Sequence, residues 1–274
     1  MSAAILLCPK NDEESLQILK VAAAAGIPVV VSEQPHGARL HHEPNVIARL
    51  KQADPQATRV VIVEIPGVSV EDELRSIGYE VVIIDHHRYP DLDRMQHLSS
   101  LEQFLEVFAL SDTKLTELGF DPVLVRGVGM IDRGFVWELS KEGLSKVDQK
   151  RIRDHYVELM HELGAPSEGA VAEAKRAWDE RQQVGELLVV QSKRADLHIR
   201  EALSFVLADL YESPPQVLIL EGSGRVSLQD SWLAPRFYAK FGGFTFGQDL
   251  CWGFAPEPGS PAPSLEAMLQ LAST

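Results

Sequence analysis

The sequence predicts an α/β protein, in which an N-terminal parallel-sheet domain with helices on both faces is joined by a helical linker to a smaller α+β domain. Two observations predict this class. Over the first 85 residues, short and continuously apolar runs alternate with helical stretches, a pattern typical of parallel strands buried on both faces. A second strand-rich region begins near residue 187, after long charged stretches. We therefore place the domains at 1–145 and 185–274, with the linker at 146–184.

Each element of the first domain and the linker follows from a local pattern. Gly26 and Gly78 directly follow two helical stretches, and glycine is common just past a helix end. Runs rich in Val, Ile and Leu predict strands at 3–8, 27–31, 59–65 and 80–85. Apolar residues at helical spacing predict helices at 11–25, 45–53, 70–77, 101–118, 122–139, 146–163 and 170–183, with a break at 164–169.

The last segment mixes shorter elements of both types. Apolar runs predict strands at 187–190, 217–220 and 225–228 and an apolar piece at 250–254. Helical spacing predicts helices at 197–210 and 235–241, and a proline-rich loop precedes a short terminal helix.

Composition excludes several classes of function. The 274 residues include 26 Lys+Arg and 40 Asp+Glu, which gives a net charge of −14 and disfavours binding to duplex nucleic acid through a row of cations. Cys8 and Cys251 are the only cysteines, which favours a reducing compartment over a disulfide framework. No segment approaches the length of a membrane span, and the N-terminal apolar run lacks a basic region before it. We expect a soluble cytoplasmic protein without a membrane partner.

The triplet Asp85-His86-His87 follows a strongly apolar strand. A carboxylate beside imidazoles suits a metal site, because the acid fixes the tautomer of a ligating ring. Glu64 comes at the end of the preceding apolar strand, and Asp132 ends another apolar stretch. If the strands are parallel, Glu64 and Asp85 lie at the same sheet edge, where ligands bind. A surface loop with two histidines is the alternative for the triplet, and a turn acid paired with Arg133 is the alternative for Asp132.

Together these spacings resemble the DHH phosphoesterase superfamily. The run 60–64, the helix 71–78 and the strand ending in Asp85-His86-His87 resemble the second and third motifs of that family. The run Ile131-Asp132-Arg133-Gly134 resembles the fourth motif. The resemblance covers residues 1–140, and the C-terminal half resembles the associated small domain more weakly.

The chain departs from the family pattern at four positions. The first motif normally holds one His and two Asp, and its matches here are Cys8, Asp12 and Glu14. Glu64 stands where the family has a metal-bridging Asp, and Phe244 stands where the glycine-rich loop normally continues into His. A thiolate at Cys8 would favour zinc, whereas a small buried apolar residue is the alternative for Cys8.

The resemblance implies metal-dependent hydrolysis of a phosphodiester or phosphoanhydride. It implies two divalent ions, with Mn²⁺ expected first and Mg²⁺ or Zn²⁺ as alternatives, held by Asp12, Glu14, Glu64, His86 and Asp132. It assigns catalysis to Asp85, which orients an imidazole, and to His87 and Arg133 near the phosphate. Substrate binding falls to Gly242, Gly243, Arg225 and Lys240. Because the chain is acidic, we expect a small nucleotide, a cyclic nucleotide or a short oligonucleotide, and a homodimer stays open.

Three further points stay open. The four altered positions allow a second interpretation, in which a catalytically inactive relative binds a nucleotide or serves as a subunit of a complex. The loop histidines His36, His41 and His42 could supply a ligand or lie in solvent. Aromatic residues around the glycine pair could stack on a base or pack in the core.

Overall fold

The computed structural model describes residues 4–89, 91–164, 169–247, 249–257 and 261–273 and confirms the predicted α/β class. The chain forms two compact units. The first comprises Met1–Arg133 and Lys146–Leu163, and the second comprises Gly134–Ser145 and Gly164–Thr274. Among the described residues, no helix has both the length and the apolar character that a bilayer crossing requires.

A four-stranded parallel sheet forms the centre of the first unit. Its strands are β1 (Ala4–Pro9), β2 (Val29–Ser32), β3 (Arg59–Val63) and β4 (Glu80–Ile84), in the order β2-β1-β3-β4. Leu7 pairs with Ile62, and Ile62 pairs with Ile83 across the sheet. All three pairings are parallel, so the carboxyl ends of the strands gather at one edge, as the sequence predicts.

Two hydrophobic cores lie on the two faces of this sheet, because successive strand residues point to opposite faces. Leu6 of β1 packs in one core, and its neighbour Leu7 packs in the other. The helices of this unit are α1 (Glu13–Ala24), α2 (Val46–Ala53), α3 (Val68–Ser76), α4 (Ser100–Val107), α5 (Asp112–Glu117) and α7 (Lys146–Glu162), with a 3₁₀ turn at Leu40–His42. The helix α6 (Pro122–Lys141) begins in this unit and is interrupted at Gly134 and Phe135.

Two features of the first unit differ from the sequence prediction. The stretch 101–118 is not one helix, because the chain breaks between α4 and α5 and Ser111 caps α5 by accepting a hydrogen bond from the Lys114 N–H. A short antiparallel hairpin of β5 (Arg88–Tyr89) and β6 (Leu92–Asp93) follows the histidine pair, where only a loop is expected.

The helix α7, predicted as part of the linker, packs on α1 within the first unit. The Tyr156 hydroxyl donates to Glu13 at 3.0 Å, and His155 Nε2 lies 2.8 Å from Gln17 Oε1. The helix α8 (Ala170–Asp179) belongs to the second unit. The assignment of separate functions to the two ends of the chain stays a prediction.

A six-stranded sheet forms the centre of the second unit. Its strands are β7 (Gln182–Val184), β8 (Leu187–Gln191), β9 (Val217–Leu220), β10 (Val226–Gln229), β11 (Phe244–Phe246) and β12 (Cys251–Phe254), in the order β11-β12-β10-β9-β8-β7. Only β8 and β9 pair in parallel. Trp252 and Phe237 are fully buried in its core. The other helices are α9 (Arg200–Leu210), α10 (Ala234–Phe241) and α11 (Leu265–Ala272). The strands β7 and β11 are not predicted from the sequence.

Candidate metal centre

Four acidic and imidazole side chains converge at the carboxyl edge of the parallel sheet in the first unit. Each can offer a ligand atom, and these atoms lie within 4.8 Å of one another. The four residues come from α1, the ends of β3 and β4, and α6; they are Glu14, Glu64, His86 and Asp132. The edge is the one that the strand pattern predicts.

The two glutamates are held by the first turn of α4. Glu14 lies in the first turn of α1, is 2% exposed, and accepts a hydrogen bond from the Leu101 N–H at 2.8 Å. Glu64 follows β3, and its own N–H still donates to the Ile84 carbonyl at 2.9 Å. The Ser100 hydroxyl donates to Glu64 Oε1 at 2.7 Å. Ser100 and the Leu101 amide therefore orient both carboxylates.

The backbone at Glu64 is unusual for a residue with a side chain. Its φ is 51°, in the left-handed region that costs a non-glycine residue about 1–2 kcal/mol. Such strain persists only where the surrounding structure compensates for it. The turn directs the Glu64 carboxylate to within 3.3 Å of His86 Nε2.

The closest contact in the cluster joins His86 and Asp132. His86 Nε2 lies 2.8 Å from Asp132 Oδ2, and the His86 side chain is 10% exposed. Both atoms are buried, and neither has a hydrogen-bond partner of acceptable geometry among the described residues. While His86 is protonated, the contact is an ion pair, and a cation bound between the two residues would take the place of that proton.

The pKa values of the cluster reflect burial and crowded negative charge. Burial and the charges of Glu64 and Asp132 raise the pKa of Asp12 to about 7. Burial, Asp132 and Glu64 raise the pKa of Glu14. Burial would lower the pKa of His86, but Asp132 and Glu64 outweigh it and raise that pKa to about 12. Proton binding thus reduces the repulsion among the carboxylates of the cluster, and a bound divalent cation would reduce it in the same way.

The donor set fits a divalent cation. Three carboxylates and one imidazole are suitable ligands for Mn²⁺, Mg²⁺ or Zn²⁺. A second group, Glu64 with His86 and His87, overlaps the first. Among the described residues, the structure thus offers two ligand groups that share Glu64 and His86.

The other two positions of the predicted first motif have local roles. Asp12 lies outside both ligand groups, and its Oδ1 caps α1 by accepting from the Ser15 N–H at 2.8 Å. Cys8 is fully buried, and its Sγ lies 3.4 Å from the Pro9 carbonyl oxygen. Burial and the nearby acids raise the pKa of the Cys8 thiol. This environment agrees with the alternative in which Cys8 is a small buried apolar residue rather than a metal ligand.

Asp85 and His87 form a second contact beside the cluster. Asp85 is 3% exposed and accepts from the His87 N–H at 3.0 Å, and its Oδ1 lies 3.3 Å from His87 Nδ1. The His87 side chain is 46% exposed. The structure therefore places Asp85 beside the His87 imidazole and leaves that ring open to solvent on part of its surface.

The remaining candidates of the first unit belong to neither ligand group. The Arg133 Nε lies 3.2 Å from Glu102 Oε2, and the Arg133 side chain is 6% exposed, so Arg133 is paired with an acid. The rings of His41 and His42 contact each other at 4.1 Å in an exposed turn. His36 Nδ1 lies 3.9 Å from Asp12 Oδ2.

The predicted substrate-binding residues lie in the second unit. Gly242 ends α10 and accepts from the Trp252 indole N–H at 2.7 Å. Gly243 has a φ of 85°, and a Cβ there would lie 2.2 Å from the Gly253 oxygen. The glycine pair is therefore required for the turn that packs against β12. Arg225 and Lys240 are exposed.

Sequence reasoning missed Ser100 and Tyr89 as partners of the site. The capping box formed by Ser99 and Glu102 marks the start of α4, so a search for capping signals could have placed Ser100 near a helix terminus. Nothing in the sequence pattern marks Tyr89, which contacts Asp85 through the unpredicted hairpin.

No protein-family model matches this chain, and the search of curated proteins gives no match. Solved structures that resemble it include an exonuclease RecJ bound to manganese, at 14% identity and a TM-score of 0.42, with 98% of this chain and 88% of that one covered. A pGpG-specific phosphodiesterase, PggH from Vibrio cholerae, is similar at 10% identity and a TM-score of 0.44, covering 99% of both chains. RecJ from Thermus thermophilus in complex with Mg²⁺ has 14% identity and a TM-score of 0.42, covering 99% of this chain and 50% of that one. These likenesses concern the fold alone, and any functional proposal depends on the residues of this chain.

Proposed function

We propose that this protein is a divalent-metal-dependent phosphoesterase that hydrolyses a phosphodiester or phosphoanhydride bond of a small nucleotide, a cyclic nucleotide or a short oligonucleotide. One observation carries the proposal. Glu14, Glu64, His86 and Asp132 bring ligand atoms within 4.8 Å of one another at one edge of the sheet, with His86 Nε2 2.8 Å from Asp132 Oδ2.

In this proposal, Glu14, Glu64, His86 and Asp132 hold a cation, whereas His87, beside Glu64 and His86, acts on the substrate. When bound, divalent ions supply Lewis acidity and a nucleophilic water. The carboxylates of Glu14 and Glu64 are fixed in position, because the Leu101 N–H donates to Glu14 and the Ser100 hydroxyl donates to Glu64.

His87 is the candidate proton donor to the leaving oxygen. Its Nδ1 faces Asp85 at 3.3 Å, and its ring is partly exposed. Burial would lower the pKa of His87, but Glu64 and Asp85 outweigh it and raise that pKa to about 9 in the metal-free protein, which favours a protonated ring. A proton at Nε2 is then available for general acid catalysis.

The substrate class follows from charge. With a net charge of −14, the protein repels a long polyanion, whereas a bound dication reverses the local sign and admits one or two phosphates. A nucleotide or a short oligonucleotide therefore suits the site better than a polymer.

The test combines metal binding with hydrolysis. Purified protein is freed of metal and titrated calorimetrically with Mn²⁺, Mg²⁺ and Zn²⁺. It is then assayed on bis(p-nitrophenyl) phosphate, a dinucleotide and a cyclic dinucleotide. We expect metal-stimulated turnover that His86→Ala abolishes, because this variant removes the ring shared by both ligand groups. His41→Ala, on an exposed turn, is the matched control and should behave as wild type.

Two results would contradict the proposal. One is wild-type protein that binds none of these ions. The other is wild-type protein that binds a nucleotide but turns over no phosphoester with any ion, which would favour the inactive, nucleotide-binding alternative.

A further inference from the structure

The hydroxyl of Tyr89 contacts both oxygens of the Asp85 carboxylate. The Tyr89 Oη lies 3.2 Å from Asp85 Oδ1 and 3.0 Å from Oδ2. Because the Asp85 side chain is 1% exposed, water does not compete for this carboxylate. A buried carboxylate needs donors, and Tyr89 supplies one.

The opposite partner of Asp85 is His87. Asp85 Oδ1 accepts the His87 backbone N–H at 3.0 Å and lies 3.3 Å from its Nδ1. The carboxylate is thus held between the Tyr89 hydroxyl and the His87 backbone and ring. Rotation of the carboxylate would change its distance to His87 Nδ1, and the Tyr89 hydrogen bond opposes that rotation.

Tyr89 is itself fixed from two directions. It belongs to the hairpin of β5 and β6, in which it pairs with Leu92. The guanidinium carbon of Arg39 lies 4.9 Å from the centre of the Tyr89 ring, a cation–π distance. Arg39 comes from the loop that follows β2, so two segments far apart in sequence clamp the tyrosine.

The far end of the hairpin is anchored as well. The Arg94 N–H donates to the His87 carbonyl at 3.1 Å. The Arg94 guanidinium donates to Glu71 Oε1 at 2.6 Å, and the Glu71 side chain is 3% exposed. The segment that carries His87 and Tyr89 is therefore tied to α3 at its end.

We propose that Tyr89 is a positioning residue, which fixes the Asp85 carboxylate and through it sets the orientation of the His87 ring for proton transfer. The inference depends on the proposed function, because it assigns to Tyr89 a part in the same reaction. The Tyr89 ring lies 6.2 Å from the His87 ring, and among the described residues no hydrogen bond joins Tyr89 to Glu14, Glu64, His86 or Asp132. Its loss should therefore change the proton-transfer step and leave a bound metal ion in place.

The test is a double-mutant cycle of Tyr89→Phe and Asp85→Asn. Tyr89→Phe removes only the hydroxyl and keeps the ring under Arg39. We expect its kcat to fall about tenfold, in line with the loss of an outer partner of a catalytic group, with KM and the calorimetric affinity for Mn²⁺ unchanged. In the Asp85→Asn background, Tyr89→Phe should cause little further loss, because the carboxylate through which Tyr89 acts on the His87 ring is already gone. Tyr79→Phe, at the amino end of β4, is the matched control and should leave kcat unchanged.

A readout independent of turnover keeps the two proposals separate. In NMR spectra of protein with labelled histidine, the ring-proton signals of His87 should be narrow in the wild type and shifted or broadened in Tyr89→Phe. If wild-type protein hydrolyses nothing, the proposed function fails, and these signals still decide on Tyr89. Unchanged His87 signals, additive losses in the cycle, or loss of Mn²⁺ affinity in Tyr89→Phe would each overturn the inference.

Discussion

Asp230, in the second unit, is a partly buried acid in a left-handed backbone conformation, with a φ of 54°. Burial raises its pKa from 3.8 to about 6, against the opposing effects of Lys141 and of a hydrogen bond with Trp137. A pKa that is higher in the folded state than in the unfolded state favours folding below pH 3.8. This contribution is lost as the pH rises through 6.

Asp230→Asn should therefore stabilise the protein at neutral pH. Asn tolerates the left-handed conformation and keeps an acceptor for Trp137. The shift of two pKa units sets the gain above pH 7 at about 3 kcal/mol at most, and the gain should vanish below pH 4. Urea unfolding of wild type and variant at pH 3.5, 5 and 7.5 measures it. A gain that is the same at all three pH values would contradict this account.

The sequence predicts a site residue best where that residue lies at the end of an apolar strand. Glu64 directly follows β3 and His86 is the second residue after β4, so the parallel pattern alone places them at one edge. The sequence also predicts a metal role for Asp12, one of whose carboxylate oxygens caps α1 while the residue lies outside the two ligand groups. Motif spacing does not distinguish a helix cap from a ligand two residues away, since both lie in the same turn. The metal role of each residue stays a prediction.

The junction between α4 and α5 shows how a helix can end without a glycine. The Leu110 N–H donates to the Leu105 carbonyl at 2.8 Å and the Ala109 N–H donates to the Glu106 carbonyl at 3.0 Å, which is a Schellman arrangement. Ala109 occupies the position that glycine normally takes, at a φ of 52°. Because no glycine marks the end, the sequence pattern predicts one continuous helix.

Ala109→Gly should stabilise the protein by about 1 kcal/mol, because glycine adopts the left-handed conformation without a steric cost. Ala109 is exposed, so the change removes no packing. Ala23→Gly in α1, also at an exposed position, is the matched control and should destabilise by about 1 kcal/mol. Chemical denaturation of both variants measures these values. Equal losses in the two variants would show that Ala109 does not hold a left-handed conformation in solution.

Elements with a strong apolar period were predictable, whereas short edge elements were not. The four parallel strands are runs rich in Val, Ile and Leu, mostly buried in β1 and β3 and partly buried in β2 and β4, and these runs are visible without tertiary information. The strand β11 (Phe244–Phe246) pairs with β12 only because Gly243 allows a close approach to Gly253. The hairpin that carries Tyr89 has two residues in each strand, too few for a period to be visible.

At the scale of the whole molecule, the net charge of −14 sets how any phosphate substrate approaches. Without divalent ions, a nucleotide meets net repulsion, which salt screens. We therefore expect the affinity for a labelled oligonucleotide in EDTA to be weak and to rise as the salt concentration increases. Binding by a row of cations would give the opposite slope, because counterion release weakens binding in salt.

The length of the oligonucleotide provides a second measurement. If a divalent cation at the candidate metal centre binds the substrate phosphate, added Mn²⁺ should tighten the binding of a labelled dinucleotide. The measurement uses His87→Ala protein, in which the candidate proton donor is absent. Extending the strand from 2 to 24 nucleotides should add little, because each further phosphate enters an acidic surface rather than a basic track. Fluorescence anisotropy with 2-, 5- and 24-nucleotide strands, with and without Mn²⁺, measures both effects. An affinity that climbs with every added nucleotide and falls steeply with salt would show that a polymer is the preferred substrate.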